Sequence, residues 1–426
     1  MSRSTISTFQ LFQMFPDAVF AYRKPPPAKA GVSKSALTFY EFFAGGGMAR
    51  AGLGAKWQCL FANDFDVKKA ETYKANWGEG TLLTKDVRKV EASELPGIPR
   101  LVWASFPCQD LSLAGMGAGL KGDRSGTFWP FWELVKSLDA DGRGPRVIVL
   151  ENVSGTLTSH GGKDFTAIAD ALAAGGYRYG AVVMDAAEFV PQSRPRLFIV
   201  AVAKGVDIPA ILIASESSMV WHSKALQKAQ MQLTGAAKDQ WLWWKMPAPA
   251  RRNTRFADLV EENPDSVRWH TPAETSKLIA MMSGVNAGKL AAAKRSGQLL
   301  IGTIYKRTRL DEDDAKVQRA EVRFDDIAGC LRTSSGGSSR QLIIVVKGDD
   351  VRTRLLSSRE AARLMGLPDD YKLPNSYNEA YHLIGDGVVV PVVRYLAESI
   401  LEPILVNNHS KGDLADASSH PVSAKH

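Results

Sequence analysis

From Leu37 to about Val202 the chain alternates short apolar runs with amphipathic stretches. The runs read LTFYEFF, CLFAND, LVWASF, RVIVLEN, YGAVVMD and RLFIVAVA. Near-continuous apolar runs of this length suit strands buried on both faces. Amphipathic stretches between them suit helices that cross back over a sheet. The pattern predicts an α/β fold, a Rossmann-like parallel sheet, over residues 37–202.

The rhythm stops at about 203. Residues 203–345 are rich in Trp, Pro and basic positions and offer no repeating βα unit, which predicts a smaller, irregular second domain. Helical spacing returns in SSREAARLMGL, and GVVVPVVRYLAESILEPIL reads as a further helix. Residues 346–404 are therefore expected to complete the first domain. The first 36 residues end in Pro25-Pro26-Pro27 and a run of small residues, and read as an arm or linker. The segment 405–426 has almost no apolar content and reads as a disordered tail.

A chain of 426 residues that is 45% hydrophobic and 23% charged can bury a large core or two ordinary ones. No run approaches the roughly 18 apolar residues of a membrane span, and the start lacks a signal peptide's features, so a cytoplasmic protein is expected. Cys59, Cys108 and Cys330 are too few and too widely spaced for a disulfide framework or a zinc cluster. The net charge of +8 suits a polyanionic partner. Residues 201–345 hold 21 Lys and Arg against 15 Asp and Glu, so most of that excess falls in the second domain.

Candidate chemistry begins at Phe39–Leu53, FYEFFAGGGMARAGL, an apolar strand, three glycines and a helix. Glycines at such a turn let backbone approach a ligand closely, although a purely structural tight turn has the same appearance. A dinucleotide fingerprint would put its third glycine at Arg50, whose side chain forbids the close packing that glycine permits. Asp64 after the second strand is placed for ribose hydroxyls, and Asp86 after a third for an adenine amino group. Ribose and adenine without pyrophosphate describe S-adenosylmethionine.

Cys108 in ASFPCQDLS follows another strand, at the sheet's carboxyl end where α/β proteins bind ligands. The loop after it, LSLAGMGAGLKGDRSG, has the composition of a segment that closes over a site. RVIVLENV puts Glu151 and Asn152 at a neighbouring strand end, where a carboxyl can hydrogen-bond a ring nitrogen. Attack of a thiolate on carbon 6 of cytosine needs that assistance. Cys59 and Cys330 read as packed thiols, and Trp241, Trp243 and Trp244 as core.

The whole set resembles the cytosine-C5 DNA methyltransferase family. The motifs are FFAGGG, NDF at 63–65, DV at 86–87, FPCQ at 106–109, DRSGTFW at 123–129, ENV at 151–153, QSRPR at 192–196, SSRE at 357–360 and GDGVVVPVV at 385–393. The resemblance implies a sheet domain that binds S-adenosylmethionine, a target-recognition domain at 203–345, and methylation of a flipped cytosine in duplex DNA, with no metal. It implies cofactor contacts from Phe43, Ala44, Gly45, Gly47, Asp64, Phe65, Asp86, Val87, Pro107, Asp386 and Val388. Cys108 would be the nucleophile and Glu151 the acid on the ring nitrogen. Asn152 would orient the Cys108 loop, and Arg194 and Arg196 would hold base and phosphate.

DNA contacts are expected from Gln109 and Ser112, and from Arg332, Ser335, Gly336, Gly337, Ser338 and Arg340 in RTSSGGSSRQ. The stretch 294–309 supplies further basic residues. A monomer is expected, with a cognate restriction endonuclease as a possible partner. Met48 and Asp386 depart from the pattern, since many relatives carry glycine and asparagine there. An RNA-modifying lineage shares these motifs but has a short insert and a Cys-Phe-Thr tripeptide absent here. A non-catalytic DNA-binding homologue is the other alternative, and this chain keeps the residues such homologues lose.

Overall fold

The computed structural model describes residues 37–107, 126–310, 314–332 and 340–406. Cys108, Gln109, Ser112, Ser335, Gly336, Gly337 and Ser338 lie outside them, as do the N-terminal arm and residues 407–426.

The apolar runs become strands β1 (Leu37–Phe42), β2 (Trp57–Asp64), β3 (Leu82–Thr84), β4 (Leu101–Ala104), β5 (Val147–Val153), β6 (Tyr177–Asp185) and β7 (Pro195–Ala203). They form one sheet in the order β3-β2-β1-β4-β5-β7-β6. Side chains alternate between its faces, as the two-residue period of a strand requires. Leu101 and Trp103 join one core cluster while Val102 and Ala104 join the other. Both faces are thus covered, which explains why these strands read as unbroken apolar runs.

β1 to β5 are mutually parallel, but β7 runs antiparallel to both β5 and β6. The all-parallel expectation fails there because a crossover needs a dozen or more residues, usually a helix. Only a short link with one 3₁₀ turn, Ala186–Glu188, joins β6 to β7. Chain order reverses between β1 and β4, so their carboxyl ends open a crevice of the kind that binds ligands in such sheets.

The C-terminal helices belong to this body. Val390–Leu396 packs on Met48–Leu53, and a Cβ on Gly52 would lie 2.4 Å from Cβ of Val393. Close helix contact therefore requires glycine at that position.

Between these parts a short pair, β8 (Ile213–Ala214) with β9 (Trp243–Trp244), lies against β6. Trp241 and Trp244 are buried there. A second sheet follows, built from β10 (Leu299–Leu310), β11 (Lys316–Arg323), β12 (Leu342–Lys347) and β13 (Asp350–Leu355). It is antiparallel, in the order β11-β10-β12-β13. Leu278, Leu290, Ile304, Val322 and Ile344 form its own core with the helices Pro272–Ala280 and Gly284–Arg295. The boundary at 345/346 read from the sequence falls inside β12. The β12–β13 hairpin pairs with the second sheet, because its apolar residues alternate onto that core.

Candidate active site

At the end of β1 the backbone turns through Phe43 at φ 58°, Gly45 at 53° and Gly47 at 77°. A left-handed phenylalanine is strained and must be held by its surroundings. The holding contacts are specific. Trp77 Nε1 and the Tyr371 hydroxyl both donate to Gly46 O, at 3.0 and 2.7 Å. A Cβ on Gly47 would lie 2.3 Å from Trp77 Nε1.

Asp64, at the end of β2, accepts from the amides of Gly45 (2.7 Å) and Asp66 (2.9 Å). Burial raises its carboxyl above the usual range, with those two amides and Lys69 opposing. Asp64 therefore braces the glycine turn as well as facing the crevice. Phe65 beside it is 70% exposed, an open aromatic face next to buried carboxylates.

These residues line a cavity of about 420 Å³ at the switch point. Phe43, Ala44, Gly45, Asp64, Phe65 and Pro107 stand on its wall with Glu151, Asn152, Arg194 and Arg196. Asp386 and Val388 arrive from the C-terminal part of the chain. Gly47 sits behind the wall in the turn. Asp86 and Val87 lie outside the lining: Asp86 is paired with Arg88, which holds its carboxyl below the ordinary range, and Val87 is buried.

Glu41 was missed in the sequence because it lies within an apolar strand. It is 2% exposed, lines the same cavity, and its Oε2 has no hydrogen-bond partner among the described residues. Burial pushes its carboxyl up to about 8 despite the nearby Arg50.

At the far end of the cavity Arg196 Nε lies 3.3 Å from Glu151 Oε1. Asn152 Nδ2 donates to Phe106 O at 3.1 Å, tying β5 to the chain two residues before Cys108. Arg194 behaves differently from its neighbour. Its Nη1 donates to Leu331 O and its Nη2 to Gly385 O and Gly387 O, all at 2.8 Å, with Cys330 Sγ 3.3 Å from Nη1. Burial lowers it to about 10. The Nη atoms of Arg194 join three segments, a structural role beside the expected one, while its Nε is buried without a hydrogen-bond partner among the described residues.

Cys330 packs beside an arginine and is not held in apolar packing alone. Burial acts to raise it, but Arg194, Arg196 and Arg332 together bring it below the ordinary thiol range. Arg332 is exposed, while Arg340 lies 5.2 Å from the Tyr377 ring and bonds Asn378. Met48 turns onto the 385–388 segment, where a Cβ on Gly387 would lie 2.2 Å from its sulfur. Its bulk is accommodated because position 387 has no side chain.

A glycine turn, a carboxylate at the end of β2, an open aromatic face and a buried carboxyl with one unpartnered oxygen fit a nucleoside joined to an amino acid, in a cavity of suitable size. This is the site of an α/β methyltransferase. The chain belongs to the C-5 cytosine-specific DNA methylase family, whose model matches residues 37–402. It is a DNA cytosine-C5 methyltransferase dependent on S-adenosylmethionine.

The chain is 28% identical over 372 residues to the Type II methyltransferase M.BsuFI of Bacillus subtilis, covering 87% of this chain and 74% of that one. It is 24% identical over 368 residues to the Type II methyltransferase M.HhaI of Haemophilus parahaemolyticus, covering 85% and 94%. In fold it resembles a DNMT2 mutant from Spodoptera frugiperda, with TM-score 0.55, 16% identity and coverage of 87% and 100%. The Entamoeba histolytica methyltransferase EhMeth gives 0.54 at 15% identity, covering 88% and 99%. No helix among the described residues is long and apolar enough to cross a membrane.

Proposed function

We propose that Cys108 attacks carbon 6 of a cytosine rotated out of duplex DNA, in the cavity that Glu151 and Arg196 share with the glycine turn. The observation that carries this reading is the convergence of Glu151, Arg196 and Pro107 on the cavity lined by Gly45 and Asp64. Unstacking the base costs a few kcal/mol, offset by contacts in the pocket. Glu151 hydrogen-bonds the ring nitrogen and Arg196 holds Glu151 in place while its guanidinium faces the base. Asn152 fixes the carbonyl of Phe106 and so the approach of the Cys108 loop.

When bound, S-adenosylmethionine supplies a methyl group on a sulfonium beside the activated carbon 5. Phe65 gives its adenine a stacking face and Asp64 accepts from its ribose. Glu41 offers its unpartnered carboxyl oxygen to its ammonium. Loss of the carbon 5 proton and release of the thiolate from carbon 6 regenerate the enzyme.

Residues 203–345 are proposed to select the DNA sequence, with Arg332 and Arg340 flanking the Gly-Ser loop and with Arg307 and Arg309 exposed on β10. Basic side chains there neutralise phosphates. A cytoplasmic monomer paired with a restriction endonuclease of the same specificity is the proposed context.

DNA carrying 5-fluorocytosine at target sites tests the chemistry, because fluorine at carbon 5 cannot leave as a proton. The wild-type chain with S-adenosylmethionine is expected to form an adduct that survives denaturing electrophoresis, and Cys108→Ala none. An adduct of equal yield from the alanine variant would refute the assignment.

A further inference from the structure

The cofactor carries an anionic carboxylate on its amino-acid end, yet the cavity wall is rich in carboxylates. Asp64, Glu151 and Asp386 all line it. An anion entering such a wall needs a cation or it is repelled. Among the described residues the lining lysines and arginines are Lys69, Arg194 and Arg196. Arg194 is committed to three carbonyls. Arg196 pairs with Glu151, at the end of the cavity given above to the base.

Lys69 remains. It stands in the first turn of the helix Val67–Trp77, next to Asp64 and Phe65, with its side chain 21% exposed. Its ammonium lies 2.7 Å from Asp386 Oδ2, a residue 317 positions away in the chain. Burial acts against the ammonium, but Asp386, Asp64 and Asp66 outweigh it and hold it above the ordinary lysine range. Asp386 adds a negative charge to the wall, and Lys69 lies against it.

Resting on the cofactor placement proposed above, we infer that Lys69 binds the carboxylate of the cofactor's amino-acid end, and that Asp386 is tolerated there because Lys69 neutralises it. Asp386 acts on Lys69, as a positioning residue. An ammonium has three donors, so one can serve Asp386 while another serves the ligand.

Titration calorimetry on the full chain decides the matter with two ligands. One is S-adenosylhomocysteine; the other is its decarboxylated counterpart, which keeps the adenosine, sulfur and amine. Lys69→Met is expected to weaken S-adenosylhomocysteine on the order of tenfold or more, as loss of a charge-assisted contact implies. Binding of the decarboxylated ligand should not weaken, which also shows that the pocket is intact. Adding Asp386→Asn to Lys69→Met should restore only part of the lost affinity, because the unbalanced repulsion is removed while the lysine's contact is still missing. Equal weakening of both ligands by Lys69→Met, or full recovery in the double variant, would overturn the inference while leaving the pocket assignment standing. If the wild-type chain bound neither ligand, the pocket assignment itself would fall.

Discussion

Arg194 and Arg196 sit two positions apart in one motif, yet their surroundings give them opposite tasks. Arg194 is 2% exposed and satisfies carbonyls of Leu331, Gly385 and Gly387. Removing it would leave those acceptors buried and unpaired, at about 1–3 kcal/mol apiece. Arg194→Met is therefore expected to lower the melting temperature by several degrees and to weaken cofactor binding through the displaced 385–387 turn. Arg196 is partly exposed and its partner is Glu151. Arg196→Met should change the melting temperature less while reducing turnover on the order of 10²–10³-fold, the range for removing one aligned donor at a reacting group. Thermal denaturation and single-turnover methylation of both variants check the division. A larger loss of melting temperature in Arg196→Met than in Arg194→Met would reverse it.

Secondary-structure elements meet at the SSRE motif, which does structural work. Ser357 caps the helix Ser358–Leu364, with Glu360 in a capping box. The same Glu360 receives both Nη atoms of Arg354 from β13, at 2.8 and 2.6 Å, and both side chains are fully buried. Its Oε1 also accepts from the amide of Glu261. Breaking a buried pair by removing one charge costs about 3–5 kcal/mol, and Glu360→Gln should lower the denaturant midpoint accordingly. A midpoint unchanged from wild type would show that the pair contributes nothing to joining the second sheet to the first.

Much at this scale was legible in the sequence. Unbroken apolar runs located β1, β2 and β4 to β7, because burial on both faces leaves no polar alternation to confuse the reading. Strand direction was not legible, since a buried run reads alike in either direction, and β7 was assigned wrongly for that reason. Gly45, Asp64, Phe65, Glu151 and Arg196, picked out one motif at a time, all stand on one cavity in the structure. Glu41 was hidden by its apolar neighbours, and the Lys69–Asp386 pair by a separation no local pattern spans. Asp86 pairs with Arg88, two positions on, and which way its carboxyl turns is visible only once side chains are placed.

Across the whole molecule, the buried carboxyl of Glu41 links the stability of the fold to pH. In the unfolded chain Glu41 titrates near 4.5, and in the folded protein burial lifts it to about 8. Between those values the folded state holds a proton that the unfolded state has released. The resulting contribution is full below pH 4.5 and is lost as pH rises through 8. His222 works in the opposite sense, because burial depresses it from 6.5 to about 4. The unfolded state then binds the extra proton, so stability falls as pH drops from 6.5 towards 4. The two slopes oppose each other below pH 6.5, and above it the Glu41 slope stands without that opposition. Glu41→Gln keeps the shape of the side chain but cannot ionise. The melting temperature of wild type minus that of Glu41→Gln should therefore decline steadily from pH 6.5 to 8.5. A difference that stays flat over that interval would mean that Glu41 is already ionised in the folded protein, with its charge compensated within the cavity.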